Sequence, residues 1–250
     1  EFRPEREICL NPFSLVERFD DEADMLAGIV AVMAAPKDGL DDYQTAGLKR
    51  CLKATFEALG PEMSIDDLAA ALSAEPDRRL TDIGAQLFPF RRAGEYGRYF
   101  CGRNTFEAES PFIVCELEEL KGRPHLQRVV LLQLIYQINQ RMFLGRREQR
   151  KLLVIDEAWD LLASDQTRDF ITASYRRCRK VNGATITVTQ SVSDYYANAG
   201  AQAIVENSAN FYLLSQRAES IAAAEREGRL PIGAAGIALL KTLTTVPGEY

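Results

Sequence analysis

Short, uninterrupted apolar runs alternate with helical stretches from Pro111 to the end of the chain, and this alternation constrains the fold more than any other feature. The runs are 112-FIVCEL-117, 152-LLVID-156, 184-ATITVT-189, 210-NFYLLS-215 and a weaker 242-TLTTV-246. Helices are predicted between them over residues 125–144, 165–182 and 219–228. A strand buried on both faces reads as a continuous apolar run, so the order predicts an α/β fold with a mostly parallel sheet covered by helices. Asn182-Gly183 supplies the stop that ends the helix over 165–182.

The first hundred residues follow another period. Leu26, Ile29, Val30 and Met33 form one apolar stripe at helical spacing, and Leu48, Leu52, Phe56 and Leu59 form a second. Ser64-Ile65-Asp66-Asp67 reads as a capping box, in which Ser64 accepts from the third backbone N–H while Asp67 reaches back. Gly60-Pro61 and Glu75-Pro76-Asp77 punctuate the helices. The expected organisation is a short core segment at 1–19, a small all-α subdomain over 20–105, and the α/β core over 106–250.

Composition narrows the function. The net charge of −6 weighs against a generic nucleic-acid binder, although 175-YRRCRK-180 is a local basic patch. Five cysteines and a single histidine, His125, show no metal-ligand spacing, and the scattered thiols read as reduced, buried and cytosolic. No apolar run approaches the roughly 18 residues that a membrane-spanning helix needs.

The chemistry concentrates at 151-KLLVIDEAWDLL-162. An apolar strand that delivers Asp156 and then Glu157 places two carboxylates at the carboxyl edge of the sheet, where open α/β folds bind ligands. Nucleotide hydrolysis uses such a pair: the first carboxylate holds Mg²⁺ through its waters, and the second orients or deprotonates the attacking water. The plainer reading is two solvated acids at a strand end. Gln190, closing the next strand, is placed to meet a γ-phosphate or that water. Arg176, Arg177, Arg179 and Lys180 end the intervening helix; they could reach a neighbouring subunit's nucleotide, or simply complement the helix dipole. Trp159 reads as a packing residue under the sheet edge, with stacking on a base as its alternative. Arg91-Arg92 and Arg146-Arg147 read as solvated faces, and Glu116 as part of a solvated loop. No glycine is followed by Lys-Ser or Lys-Thr, so the chain contains no G-x-x-x-x-G-K-[ST] phosphate loop.

In order, 7-EICLNPFS-14, 112-FIVCELEEL-120, 152-LLVIDEAWDLL-162, 175-YRRCRKVNGA-184, 187-TVTQSVSDYY-196, 211-FYLLSQ-216 and 242-TLTTVPGEY-250 resemble the TraC-type ATPases of conjugative type IV secretion, across essentially the whole chain. The resemblance implies a RecA-like P-loop core with an all-α insertion, related to the HerA/FtsK translocases. It implies that ATP and Mg²⁺ are bound, with Asp156 as the Walker B magnesium ligand and Glu157 as the catalytic glutamate. Gln190 would be the γ-phosphate sensor, and Arg179 or Arg176 the arginine acting in trans. It further implies a hexamer, inner-membrane secretion partners, a cytoplasmic and peripherally membrane-associated location, and work in pilus assembly or substrate transfer.

The resemblance also puts the phosphate loop upstream of Glu1, so this stretch alone is expected to bind ATP poorly. With the phosphate-loop strand expected between the Asp156 strand and the Gln190 strand, two strand edges should be left unpaired. The rival readings are a HerA/FtsK-like DNA translocase and a non-hydrolysing scaffold that has lost its phosphate loop.

Overall fold

The helical periodicity of the first hundred residues becomes four helices: α1 Phe19–Ala34, α2 Asp42–Leu59, α3 Ile65–Ser73 and α4 Arg78–Gln86. The structure is a computed structural model, and it describes residues 8–106, 112–120, 122–144, 148–159, 165–230 and 232–244. Two compact units divide it, Glu1–Arg141 and Met142–Tyr250.

In the first unit the α1 stripe of Leu26, Ile29, Val30 and Met33 is buried, as are Leu48 and Leu52 of α2. Further along α2 the stripe comes out of the core. Phe56 is half-buried and stacks on Phe19 at 5.0 Å, and Leu59 is exposed. The capping box forms as expected, with Ser64 accepting from the Asp67 N–H and Asp67 accepting from the Ser64 N–H at 2.8 Å. At Gly84 a Cβ would lie 2.9 Å from the Ala69 carbonyl oxygen, so α3 and α4 approach as closely as they do because that position is glycine. A fifth helix, α5 Pro124–Asn139, continues as a π-helical turn over Gln140–Leu144 and packs on α1.

The segment before α1 is tied to the far end of this unit. The Leu10 N–H donates to Tyr99 O at 2.6 Å, and the Thr105 N–H donates to Cys9 O at 2.9 Å. His125 is a structural residue at the start of α5: its Nε2 lies 2.8 Å from Val32 O and its ring meets Phe90 edge-on. Arg91 and Arg92 do not simply face solvent. The Arg91 guanidinium and the Arg92 N–H both hold Asp66, at 3.1 and 2.9 Å. Of the cysteines, Cys9, Cys51 and Cys178 are buried, Cys101 is half-buried and Cys115 is exposed, so the expectation of uniformly buried thiols fails at Cys115.

In the second unit two strands, β1 Lys151–Ile155 and β2 Gly183–Thr187, pair in parallel. Lys151 stands opposite Gly183 and Ile155 opposite Thr187. The helix α6 Asp165–Arg177 forms the crossover between them, as parallel neighbours require. It gives way to a 3-10 turn over Cys178–Val181, and Asn182 at φ 58° closes that turn into β2. Further α-helices among the described residues are α7 Ala199–Asn207, α8 Ala218–Arg226 and α9 Gly233–Thr242.

Several sequence expectations about the sheet do not hold. No strand lies between β1 and β2; their facing edges satisfy each other directly, and the ladder continues through Val188 N–H to Ile155 O at 2.9 Å. Among the described residues 112–117 and 210–215 join no ladder, and they leave Phe112, Val114, Tyr212 and Leu214 exposed. Thr242 ends α9, while 245–246 lie outside the described residues, as do Arg146 and Arg147. Among the described residues the sheet is also covered on one face only. Tyr175 of α6 packs against Thr187, whereas Leu152 and Val154 are 61% and 56% exposed, and Ile186 and Val188 are 43% and 45% exposed.

Candidate functional site

The sequence turns from strand to helix at Asp156-Glu157. The Asp156 carboxylate accepts the Glu157 backbone N–H at 2.9 Å, so the first acid caps the turn made by the second. Glu157 itself sits at φ 51°, in the left-handed region that a side chain disfavours by about 1–2 kcal/mol. Ala158, the next residue, is buried and donates its N–H to Val188 O at 2.9 Å. The turn is therefore held on both sides of Glu157, and backbone strain of this kind persists where the surroundings over-determine it.

Gln190 lies past the end of β2, next to this turn. Its amide N–H₂ reaches both oxygens of the Glu157 carboxylate, each at 3.1 Å. The Trp159 indole N–H also donates to Glu157, at Oε2. Asp156, Glu157 and Gln190 are thus brought together at the carboxyl edge of the sheet, and all three are exposed.

Tyr175 braces the β2 side of the site. Its hydroxyl lies 2.9 Å from Thr187 Oγ1 and accepts the Thr187 N–H at 3.1 Å. Burial pushes its phenol above the ordinary range.

The arginines fall elsewhere. Arg176 lies in the last turn of α6 and Arg179 in the turn before β2, so both stand at the opposite end of that strand from Gln190. A five-residue strand spans about 17 Å. Within one copy these guanidiniums and Glu157 do not form one site, and both arginines are exposed. A cavity of about 290 Å³ opens one residue beyond Gln190, lined by Ser191, Ser193, Gln216, Glu219, Ile221 and Arg229. It contains neither carboxylate of the turn, and its Arg229 is already paired with Glu227 at 2.9 Å.

Among the described residues no cluster of three His, Cys, Asp or Glu side chains offers an all-protein metal site. Asp156 alone fits the way Mg²⁺ is ordinarily held, through one or two carboxylates, several waters and substrate phosphates. The residues present therefore fit a metal that arrives with a nucleotide.

The family model for the TraG P-loop domain matches residues 16–221. The chain belongs to the TraG P-loop domain family. It is 31% identical over 232 residues to Protein TraC of Escherichia coli (strain K12), a match that takes in 86% of this chain and 26% of TraC, so the chain spans about a quarter of that relative. The structure of VirB4 of Thermoanaerobacter pseudethanolicus superposes with a TM-score of 0.73 at 21% identity, covering 95% of this chain and 69% of VirB4. That likeness shows the fold: this member of the TraG P-loop domain family has the RecA-like α/β architecture of VirB4. The resemblance to TraC-type proteins drawn from the motifs is borne out.

Sequence reasoning missed the part played by Trp159 in this family member. It is 45% exposed rather than packed under the sheet, and its indole N–H is spent on Glu157. The signal was available in the spacing, since a residue two past Glu157, on the first helical turn, can reach back across that turn.

Proposed function

We propose that this chain is the nucleotide-hydrolysing motor segment of a type IV secretion ATPase of the TraC and VirB4 kind. The observation that carries the reading is the meeting of Asp156, Glu157 and Gln190 at the carboxyl ends of two adjacent parallel strands. Asp156 holds Mg²⁺ through water, and Glu157 takes a proton from the water that attacks the γ-phosphorus. Gln190 contacts the γ-phosphate. Arg179, or Arg176, serves the nucleotide of a neighbouring copy, which accounts for their separation from Glu157 within one chain. The working assembly is then a ring of copies, a hexamer, with nucleotides between subunits.

The helical segment over 20–105 is the all-α insertion of an ATPase of this kind. Inner-membrane components of the secretion machine are the partners that place the protein on the cytoplasmic membrane surface, where it drives pilus assembly or substrate transfer. Among the described residues no helix is long and apolar enough to cross a membrane. The test is Mg²⁺-dependent ATP turnover by the full-length protein with Asp156→Asn. Turnover should fall at least about a hundredfold, the scale of losing positioned catalytic machinery. Undiminished turnover overturns the assignment, and strong stimulation by duplex DNA at low salt would favour a translocase instead.

A further inference from the structure

We propose that Tyr195 is a positioning residue for Gln190: its hydroxyl closes the loop that carries this amide and so fixes where the amide stands. This inference rests on the ATPase reading, in which Gln190 contacts the γ-phosphate, and adds to it the residue that sets that contact.

Backbone groups along a strand point alternately to its two edges. Val188 faces β1, donating its N–H to Ile155 O and accepting the Ala158 N–H, each at 2.9 Å. Thr187 therefore turns its own N–H and carbonyl to the other edge of β2, and two tyrosine hydroxyls meet them there. The N–H donates to the Tyr175 hydroxyl at 3.1 Å, and the carbonyl accepts from Tyr195 at 3.0 Å. Thr187 Oγ1 lies 2.9 Å from each phenol oxygen. One set of proton positions serves all four contacts: Tyr175 donates to Oγ1, Oγ1 donates to Tyr195, and Tyr195 donates to the Thr187 carbonyl. The Tyr175 oxygen, brought in by α6, also meets Ser208.

Gln190 lies within the loop that these bonds close. The chain leaves Thr187, passes Thr189 and Gln190, and comes back to Thr187 through Tyr195, eight residues on. The returning half is itself fixed. Ser191 caps the 3-10 turn Val192–Tyr196, accepting the Ser193 N–H while Asp194 accepts the Ser191 N–H, each at 3.2 Å. The Thr189 hydroxyl donates to Ser191 O at 3.1 Å, and Tyr196 ties the far side of the turn to Arg229 O at 3.2 Å.

Gln190 is exposed, so its side chain takes its place from the backbone beneath it rather than from packing. A misplacement of about 1 Å by a change far from the reacting atoms can cost about a hundredfold in rate. Loosening the Thr187 end of the loop therefore reaches the amide. A role in packing alone predicts something different. Tyr195 is half-buried, and phenylalanine keeps its ring while removing both contacts with Thr187, so packing alone predicts no change on that substitution.

The experiment follows steady-state ATP turnover and the affinities for ATP and ADP in the full-length protein, in its Tyr195→Phe, Gln190→Ala and Glu157→Gln variants, and in the Tyr195→Phe/Gln190→Ala double variant. Turnover is counted per ADP-binding site, so a loss of folded protein alone does not register. Positioning predicts that Tyr195→Phe lowers turnover about tenfold and weakens ATP relative to ADP, with ADP affinity within about twofold of the parent. In the Gln190→Ala background the same substitution should change turnover by less than about twofold, because the group it positions is gone.

Parental turnover in Tyr195→Phe overturns the proposal, as does a tenfold loss that persists without Gln190. With Glu157→Gln inactive, either result leaves the ATPase reading standing. Full turnover in Glu157→Gln overturns both. Equal weakening of ATP and ADP assigns Tyr195 to the fold at large and also overturns the proposal. Thr187→Val removes the hydroxyl between the two phenols and keeps the side chain's shape, so it should lower turnover severalfold. Parental turnover in that variant contradicts the loop closure even if Tyr195→Phe fails to fold.

Discussion

Replacing Glu22 with alanine should cost the first unit about 2–4 kcal/mol, and the figure can be built from its contacts. Glu22 lies in the first turn of α1, where Arg18 occupies the N-cap without offering a side-chain acceptor. Its carboxylate takes that part, accepting the N–H groups of Glu17 and Arg18 at 3.0 and 2.9 Å. The other oxygen accepts from the Tyr136 hydroxyl and the Gln140 amide of the α5 segment. Glu17 and Arg18 are exposed, so water replaces their acceptor and the loss there is near that of an ordinary cap, about 1 kcal/mol. Tyr136 is buried, and its orphaned hydroxyl costs a further 1–3 kcal/mol or so. Urea unfolding followed by far-ultraviolet circular dichroism reads the sum. Tyr136→Phe and the double variant complete a thermodynamic cycle, in which coupling should be about 1–2 kcal/mol. Coupling near zero would show that Glu22 caps α1 but does not bind it to α5, and the reasoning would fail.

Phe90 is fully buried between Tyr96, Phe100 and His125, with ring centroids 5.0 to 5.4 Å away. Phe90→Ala should destabilise the unit by about 3–5 kcal/mol in the same assay, and a loss under about 1 kcal/mol would contradict that packing. Cys101 gives a pH prediction. Burial and then the Asp66 carboxylate push its thiol up from 9.0 to about 12. A folded value above the unfolded one means that the native state holds its proton longer. Stability should therefore be intact below pH 9 and decline as pH rises toward 12, and Cys101→Ala should flatten that decline. An equally steep alkaline loss in the variant would place the cause elsewhere.

Much of the site was legible because a carboxylate pair after an apolar strand has few chemical uses. Asp156, Glu157 and Gln190 come from two strands separated in sequence, yet a parallel neighbour with a helical crossover brings their ends to one edge. The helical stripes and the Ser64 cap were equally readable, since both depend on spacing within one turn or two. What the sequence did not disclose depended on partners. The runs at 112–117 and 210–215 have strand composition, but composition cannot say whether a neighbouring edge exists, and among the described residues none pairs with them. The same holds for Leu152 and Val154, whose apolar side chains promise burial that only a covering element can deliver. Trp159 was misjudged because a lone tryptophan is usually a packing residue, and the acceptor for its N–H lay on a strained turn that no propensity predicts.

The central claim is that Glu157 is the base of a nucleotide hydrolase. Its most direct test is paired measurement of ATP binding and ATP turnover by the full-length protein and its Glu157→Gln variant. The account predicts that the variant retains ATP affinity within a few-fold and loses turnover by at least about a hundredfold, because glutamine keeps the shape and loses the base. Turnover equal to that of the parent would contradict it.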